Sequence, residues 1–120
     1  MLEKIQDRFN ESIQIQIATA DALPQVLSQA AILIVERLLQ GNKLIVCGYG
    51  RSYANAQLLV SNLLHRYDIS RPSLAAHLLQ FDGVLIGHLE QDQELHQLYR
   101  KQLQASTYHF HQLHVCVIFR

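Results

Sequence analysis

The chain has 120 residues, of which 49% are hydrophobic and 17% charged, with ten basic and ten acidic side chains. This length allows one domain at most, with enough apolar residues for a core. A neutral chain gives no electrostatic case for direct nucleic-acid binding, and no apolar run reaches the roughly 18–20 residues of a membrane helix.

Two amphipathic helices are predicted in the first 40 residues. Apolar residues in the segment 2–17 recur at spacings of three and four, which predicts one helix. Pro24 starts a second helix, whose wide apolar stripe predicts a well-buried element, and Gly41-Asn42 ends it. The acidic residues in the amphipathic N-terminus exclude a secretory signal. The two cysteines form no disulfide framework, so we expect a cytoplasmic protein.

The segment 43–52, KLIVCGYGRS, is the most informative stretch of the chain. Leu44–Cys47 is a continuous apolar run, which is typical of a strand buried on both faces, with Cys47 as a reduced core residue. A turn with two glycines follows, and a helix is predicted from about Ser52 to His65. Glycines let a ligand approach the backbone, and a helix start offers N–H groups to anions. This order of parts predicts a site for phosphate or a phosphorylated sugar.

Two interpretations of the turn remain open. Gly48-x-Gly50-x-Ser52 lacks the third glycine of a dinucleotide fingerprint and the Gly-Lys-Ser/Thr of a P-loop. It is either a tight strand-to-helix turn with Ser52 as the N-cap, or a site in which Ser52 also donates to phosphate. Arg51 either adds charge to that site or points into solvent.

The rest of the chain continues the alternation of helix and strand. Leu74–Leu79 is predicted as a strand after the Arg71-Pro72 loop, and Val84–Ile86 as a short element. Leu89–Gln104 reads as a polar helix and His114–Phe119 as a strand. The pattern predicts an α/β fold with a parallel sheet, in which ligands bind beyond the carboxyl ends of the strands.

Residues for catalysis or metal binding are few. The helix after the turn contains no Asp or Glu. Glu90, Asp92 and Glu94 are predicted at a helix start, where the dipole favours acids, and Asp92 is kept as a possible ligand contact. His109, His111 and His114 cluster without a zinc pattern, so neither a metal nor a cofactor is expected.

The segments GNKLIVCGYGRSYANAQLLVSNLLHRY and RPSLAAHLL resemble the SIS (sugar isomerase) domain family. The resemblance is strongest to the branch of phosphoheptose isomerases and DnaA initiator-associating proteins, and ESIQIQIATADALPQVLSQAA and YRKQLQA are similar to the latter. It covers residues 1 to about 105. It implies a three-layer αβα sandwich preceded by N-terminal helices, a homo-oligomer (commonly a tetramer) and a sugar-phosphate pocket.

The resemblance also implies a binding set. Gly48, Gly50 and Ser52 match the phosphate-side turn of the family, while Tyr49 replaces a usual Asn and Arg51 a usual small residue. Asp92 matches the acid of the family's Asn-Asp pair. The predicted phosphate or sugar-phosphate site is therefore formed by residues Gly48, Tyr49, Gly50, Arg51, Ser52 and Asp92.

The positions that serve catalysis in the isomerases differ here. Those enzymes carry a His and a Glu, four residues apart, on the helix after the turn, and this chain has Leu58 and Asn62. Leu58 cannot bind a metal and Asn62 cannot act as a carboxylate base, so no catalytic residue is predicted.

After residue 105 the resemblance ends, because STYHFHQLHVCVIFR replaces the family's next strand and its Ser/Thr-rich phosphate loop. We therefore expect a single partial SIS domain over 1–120: N-terminal helices in 1–40, an α/β core in 41–105 and a divergent tail in 106–120, as in a truncated or frameshifted copy. The tail is predicted to pair as a strand. Uncovered apolar faces and sheet edges predict strong self-association or marginal stability.

Three functions remain open. The first is a non-catalytic regulator that binds the replication initiator DnaA as an oligomer and times initiation, contacting DNA only through DnaA. The second is a sensor or isomerase of phosphorylated sugars of the sedoheptulose 7-phosphate class. The third is a non-functional remnant.

Overall fold

A computed structural model describes residues 1–107 and 115–119. The chain divides into two compact units, Met1–Val35 and Glu36–Arg120. The division of the chain at residues 40 and 105 that the sequence suggests stays a prediction.

Helices α1 (Leu2–Ala22) and α2 (Pro24–Leu39) form the N-terminal region, as predicted. The first ends at Leu23, whose N–H donates to the carbonyl of Thr19 at 3.0 Å. Among the described residues, no single helix is long and apolar enough to cross a membrane. The two helices pass that test of length and composition only as a pair bent by 64°.

The expectation that α2 is well buried is wrong. Across α1 and α2, both fully within the described range, no residue is buried. Phe9 on α1 is 67% exposed, and Val26 and Leu27 on α2 are each 60% exposed. The apolar stripes therefore meet no covering layer among the described residues of this chain.

Three parallel strands form the sheet, in the order β2-β1-β3. They are β1 (Leu44–Gly48), β2 (Ala76–Leu78) and β3 (Val115–Phe119). In register, Leu44 of the central strand lies opposite Ala76 of β2 and Val115 of β3. These pairings confirm the parallel sheet and the strand predicted near the end of the chain. His114, the first residue of that predicted strand, lies outside the described residues.

The predicted strand Leu74–Leu79 is longer than the observed β2. The N–H of Leu74 donates to the carbonyl of Leu63 at 3.0 Å, so this residue joins the loop to a helix instead of the sheet. At the other end, the N–H of Leu79 still donates to Val46 at 2.9 Å.

The sheet lies between helices on both faces, which confirms the three-layer αβα architecture. All five residues of β1 are buried. Ile45 and Cys47 pack on one face with Leu79, against Tyr99 and Leu103. Side chains alternate along a strand, so the other three β1 positions face the opposite side, where Gly48 approaches the next helix. Cys47 is a buried, reduced thiol, as predicted.

The helices of the second unit are α3 (Ser52–Leu64), α4 (Gly83–Gln91) and α5 (Leu98–Thr107), with a 3-10 turn at Leu95–Gln97 before α5. Helix α5 packs on the sheet through Tyr99. Helix α4 follows β2 along the chain.

A single polar helix over Leu89–Gln104 is therefore wrong, because a complete Schellman motif ends α4. Gln93 adopts a left-handed backbone conformation with φ 58. Its N–H donates to the backbone carbonyl of Glu90 at 3.1 Å, and the N–H of Glu94 donates to the backbone carbonyl of Leu89 at 2.7 Å. Glu90 and Asp92 consequently lie at the end of a helix rather than at its start.

Candidate functional site

The turn after β1 requires both of its glycines. A Cβ on Gly48 would lie 2.5 Å from the carbonyl oxygen of Ser52 and 2.8 Å from the Cα of Tyr53. Gly50 has a φ of +58, in the left-handed region that glycine adopts without strain. The glycine pattern is thus explained by the close approach of β1 to α3.

The interpretation of Ser52 as an N-cap is wrong, because Arg51 occupies the cap position and Ser52 is the first residue of α3. Arg51 makes no capping bond with its side chain. The N–H groups of Ser52, Tyr53 and Ala54 donate to backbone oxygens three residues earlier, at 3.2, 3.2 and 3.3 Å. The helix start therefore offers fewer vacant donors to an anion than the sequence suggests.

The predicted binding residues fall into two places. Gly48 to Ser52 form one turn, in which Gly48 is buried, Ser52 is half-buried and the other three are exposed. Asp92 is exposed and follows the last residue of α4. Their role in binding stays a prediction.

A cleft of about 560 Å³ opens beside this turn. The turn contributes Tyr49, the segment after β2 contributes Phe81, and α4 contributes Ile86 and Glu90, which are four residues apart on one helix face. The cleft lies at the carboxyl ends of β1 and β2, where ligands bind in parallel sheets.

The remaining wall of the cleft comes from the 3-10 turn and α5. It consists of Leu95, His96, Leu98 and Tyr99. The lining is therefore largely apolar and aromatic, with one carboxylate and one imidazole. Of the six residues predicted from the sequence, Tyr49 takes part, and the other five are absent from the described lining.

Tyr99 ties α5 to the glycine turn. Its hydroxyl donates to the carbonyl of Gly48. Burial raises the pKa of the Tyr99 hydroxyl above its ordinary value of 10.0, and the nearby Cys47 raises it further. The protonated, donating form is thus favoured, and it holds the end of β1 in place.

Phe81 links the other side of the cleft to the same turn. Its ring meets that of Tyr49 edge-on, with centroids 6.2 Å apart and planes at 73°. Its ring centroid lies 6.1 Å from that of Tyr53, and its N–H donates to the Tyr53 hydroxyl at 3.3 Å. The rings of Tyr49 and Phe81 therefore line the mouth of the cleft, and Tyr53 packs beside Phe81.

Sequence reasoning missed Phe81, Glu90, His96 and Tyr99 as lining residues. The sequence pattern places Glu90 at a helix start, and His96 shares no spacing with another candidate ligand. Helical spacing predicts that Tyr99 faces inward, but nothing local to the sequence marks Phe81 or the place of Tyr99 in the cleft, because only the fold brings these segments together.

The positions that differ from the isomerase pattern lie on α3. Leu58 is 62% exposed, and Asn62 is half-buried with its backbone oxygen accepting from Arg71 Nη2 at 2.7 Å. Within the described part of the chain, no three His, Cys, Asp or Glu side chains gather in a metal-binding arrangement. His109 and His111 lie outside that part.

Comparison with known families agrees with this architecture. Residues 8–118 match the SIS domain. The chain belongs to the SIS domain family. The family resemblance predicted from the sequence is thereby confirmed.

Curated SIS-family relatives match most of the chain. The DnaA initiator-associating protein DiaA of Erwinia tasmaniensis is 46% identical over 105 residues, which are 88% of this chain and 54% of that protein. An uncharacterised protein of Haemophilus influenzae is 47% identical over 107 residues, which are 89% of this chain and 55% of its own. The chain spans about half the length of the curated relatives it matches.

Solved SIS-family structures show the same fold. A phosphoheptose isomerase from Francisella tularensis has a TM-score of 0.85 and 35% identity, and the match covers 98% of this chain and 60% of that chain. The phosphoheptose isomerase GmhA from Neisseria gonorrhoeae has a TM-score of 0.75 and 27% identity, over 88% and 54% of the two chains.

Proposed function

We propose that this SIS-family chain is a non-catalytic regulator that binds the replication initiator DnaA as an oligomer and controls the timing of chromosomal initiation. The observation that carries the proposal is the 46% identity, along 88% of the chain, to a protein named for its association with DnaA. The balanced charge fits contact with DNA through DnaA. This role places the protein in the cytoplasm.

The residues on α3 support the non-catalytic part of the proposal. An aldose–ketose isomerase moves a proton between neighbouring carbons and needs a general base. Leu58 and Asn62 provide neither a metal ligand nor a carboxylate at the positions that the isomerase resemblance assigns to these roles.

The exposed stripe of α1 supports self-association. Ile5, Phe9, Ile13 and Ile17 lie four residues apart on one face and are 48–67% exposed. An apolar stripe of this length costs free energy in water and is stabilised when a second copy covers it. Several copies in one assembly would let weak individual contacts capture DnaA with avidity.

The test is the mass of the purified chain in solution, measured by light scattering with and without a purified DnaA domain. We expect a defined oligomer, with a tetramer as the family's common state, that gains mass when DnaA is added. A defined oligomer that ignores DnaA would contradict the proposal, and a heterogeneous aggregate without capture would favour a non-functional remnant.

A second candidate function is the binding of a phosphorylated sugar. It is favoured by the TM-score of 0.85 to a phosphoheptose isomerase and by the glycine turn at the carboxyl end of β1. In that case sedoheptulose 7-phosphate should raise the thermal unfolding midpoint without being converted. An unchanged midpoint at saturating sugar phosphate would eliminate this candidate.

A further inference from the structure

The cleft beside the glycine turn has the size and exposure of a small-molecule site. Its volume of about 560 Å³ falls within the range of ordinary ligand pockets. Three of its apolar side chains remain exposed: Tyr49 by 71%, Phe81 by 46% and Leu95 by 42%. Apolar side chains that are exposed together in a concave surface mark a binding site more often than a solvated face.

The aromatic mouth selects a flat ligand. The rings of Tyr49 and Phe81 meet edge-on, so the face of one ring stays accessible beside the edge of the other. Phe81 is fixed from behind by its contact with Tyr53 and by the hydrogen bond from its own N–H. A planar apolar group gains most from such a partly fixed pair of rings.

Charge in the cleft selects the sign of the ligand. Glu90 contributes a carboxylate, and no Lys or Arg is among the described residues of the lining. His96 Nε2 lies 3.0 Å from Gln97 Nε2, so the imidazole forms a hydrogen bond with the neighbouring side-chain amide. Arg100 donates to Oε1 of the same amide at 3.3 Å. The polar part of the described lining therefore consists of one carboxylate, that of Glu90, and one imidazole.

We propose that this cleft binds a planar aromatic cation, with an amine paired to Glu90 and the ring packed against Tyr49 and Phe81. The face of a tyrosine ring attracts a cation, which adds to the attraction of the carboxylate. The same lining disfavours a phosphate, because an anion beside Glu90 would meet a like charge with no Lys or Arg among the described lining residues to offset it. The site thus differs in ligand class from the anion site that the glycine turn suggests.

The test compares tryptamine with indole-3-acetate, which share a ring and differ in charge, by saturation-transfer NMR titration of the full chain. We expect tryptamine to bind about tenfold more tightly than indole-3-acetate. The exposed carboxylate of Glu90 attracts the ammonium group of tryptamine and repels the carboxylate of indole-3-acetate. The proposal would be overturned if the two compounds bound equally well, or if tryptamine showed no saturable binding. It would also be overturned if indole-3-acetate or glucose 6-phosphate bound more tightly than tryptamine.

Variants locate the binding in the cleft. Glu90→Gln should weaken tryptamine about three- to fivefold and strengthen indole-3-acetate about two- to threefold, so that the two affinities become nearly equal. Asp68→Asn, which changes an exposed acid outside the cleft, should leave the ratio unchanged. Tyr49→Ala should weaken both compounds about fivefold. A ratio that survives Glu90→Gln would place the binding elsewhere and refute the proposed site.

Discussion

At the residue scale, the end of β1 shows how a single atom can decide a local structure. Gly48 is fully enclosed between the sheet and the start of α3, and its carbonyl accepts from Tyr99. The sequence marks this glycine as a turn residue, but the reason it must be glycine is the backbone of Ser52, which lies within contact distance of any added Cβ.

We therefore expect Gly48→Ala to lower the free energy of unfolding by about 2–3 kcal/mol, since the new methyl meets backbone rather than a flexible side chain. Urea denaturation measures the loss. Gly83→Ala is the matched control, because its Cβ meets nothing within 4 Å and it lies in the first turn of α4. Equal losses in both variants would show that the steric account of Gly48 is wrong.

Tyr99 provides a pH-dependent prediction. Its pKa is raised in the folded state, first by burial and then by Cys47, so its stabilising effect is fully present below its unfolded pKa of 10.0. It is lost as the pH rises through the folded pKa, because the folded state then binds more protons than the unfolded one. The free energy of unfolding should fall less steeply above pH 10.0 in Tyr99→Phe than in the parent chain.

Tyr99→Phe should also cost about 1 kcal/mol at neutral pH, from the lost hydrogen bond to Gly48. Denaturation at a series of pH values measures both effects. Parallel pH profiles for the parent chain and the variant would show that Tyr99 does not contribute to the alkaline loss.

At the element scale, the end of α4 decides where the cleft forms. The Schellman motif stops the helix at Gln91, so the chain turns back and brings the 3-10 turn against α4. The sequence predicts one continuous helix here because the turn lacks the glycine that usually occupies the left-handed position. Gln93 takes that position instead, and helix periodicity alone gives no sign of it.

Gln93→Gly should therefore stabilise the chain by about 0.5–1 kcal/mol. Glycine adopts the left-handed conformation without strain, and the relief of strain exceeds the extra conformational entropy that glycine loses on folding. Gln57→Gly, the same change at an exposed position inside α3, should destabilise it by about 1 kcal/mol. Thermal unfolding of the two variants tests the opposite signs. A loss in both would mean that the left-handed conformation of Gln93 carries no strain.

At the scale of the whole molecule, the apolar faces of α1 and α2 are the main unsatisfied feature among the described residues. Twelve apolar side chains of these helices, in addition to Met1, are at least 45% exposed. They are Leu2, Ile5, Phe9, Ile13, Ile15, Ile17, Val26, Leu27, Ile32, Leu33, Val35 and Leu39. Within this chain nothing described covers them, which supports the proposal that other copies do.

Phe9→Asp should shift the light-scattering mass towards the monomer, since a carboxylate cannot be buried in an apolar interface without a large desolvation cost. Gln14→Asp adds the same charge on the other side of α1 and should leave the mass unchanged. The Phe9 variant should also capture less DnaA if capture needs the oligomer. An unchanged mass in Phe9→Asp would exclude this stripe as the interface.

The sequence by itself determined the order of helices and strands as far as β2, the parallel sheet, the buried β1 and the SIS-family resemblance. These features follow from local periodicity, from glycine and proline, and from a recognisable segment, so they can be read within short windows of the chain. Tertiary structure alone decided that Arg51 occupies the cap position, that Gln93 ends α4, and that Phe81, Glu90, His96 and Tyr99 line one cleft with Tyr49. Contacts between residues that are distant in sequence depend on how the layers pack, and no local pattern encodes that packing.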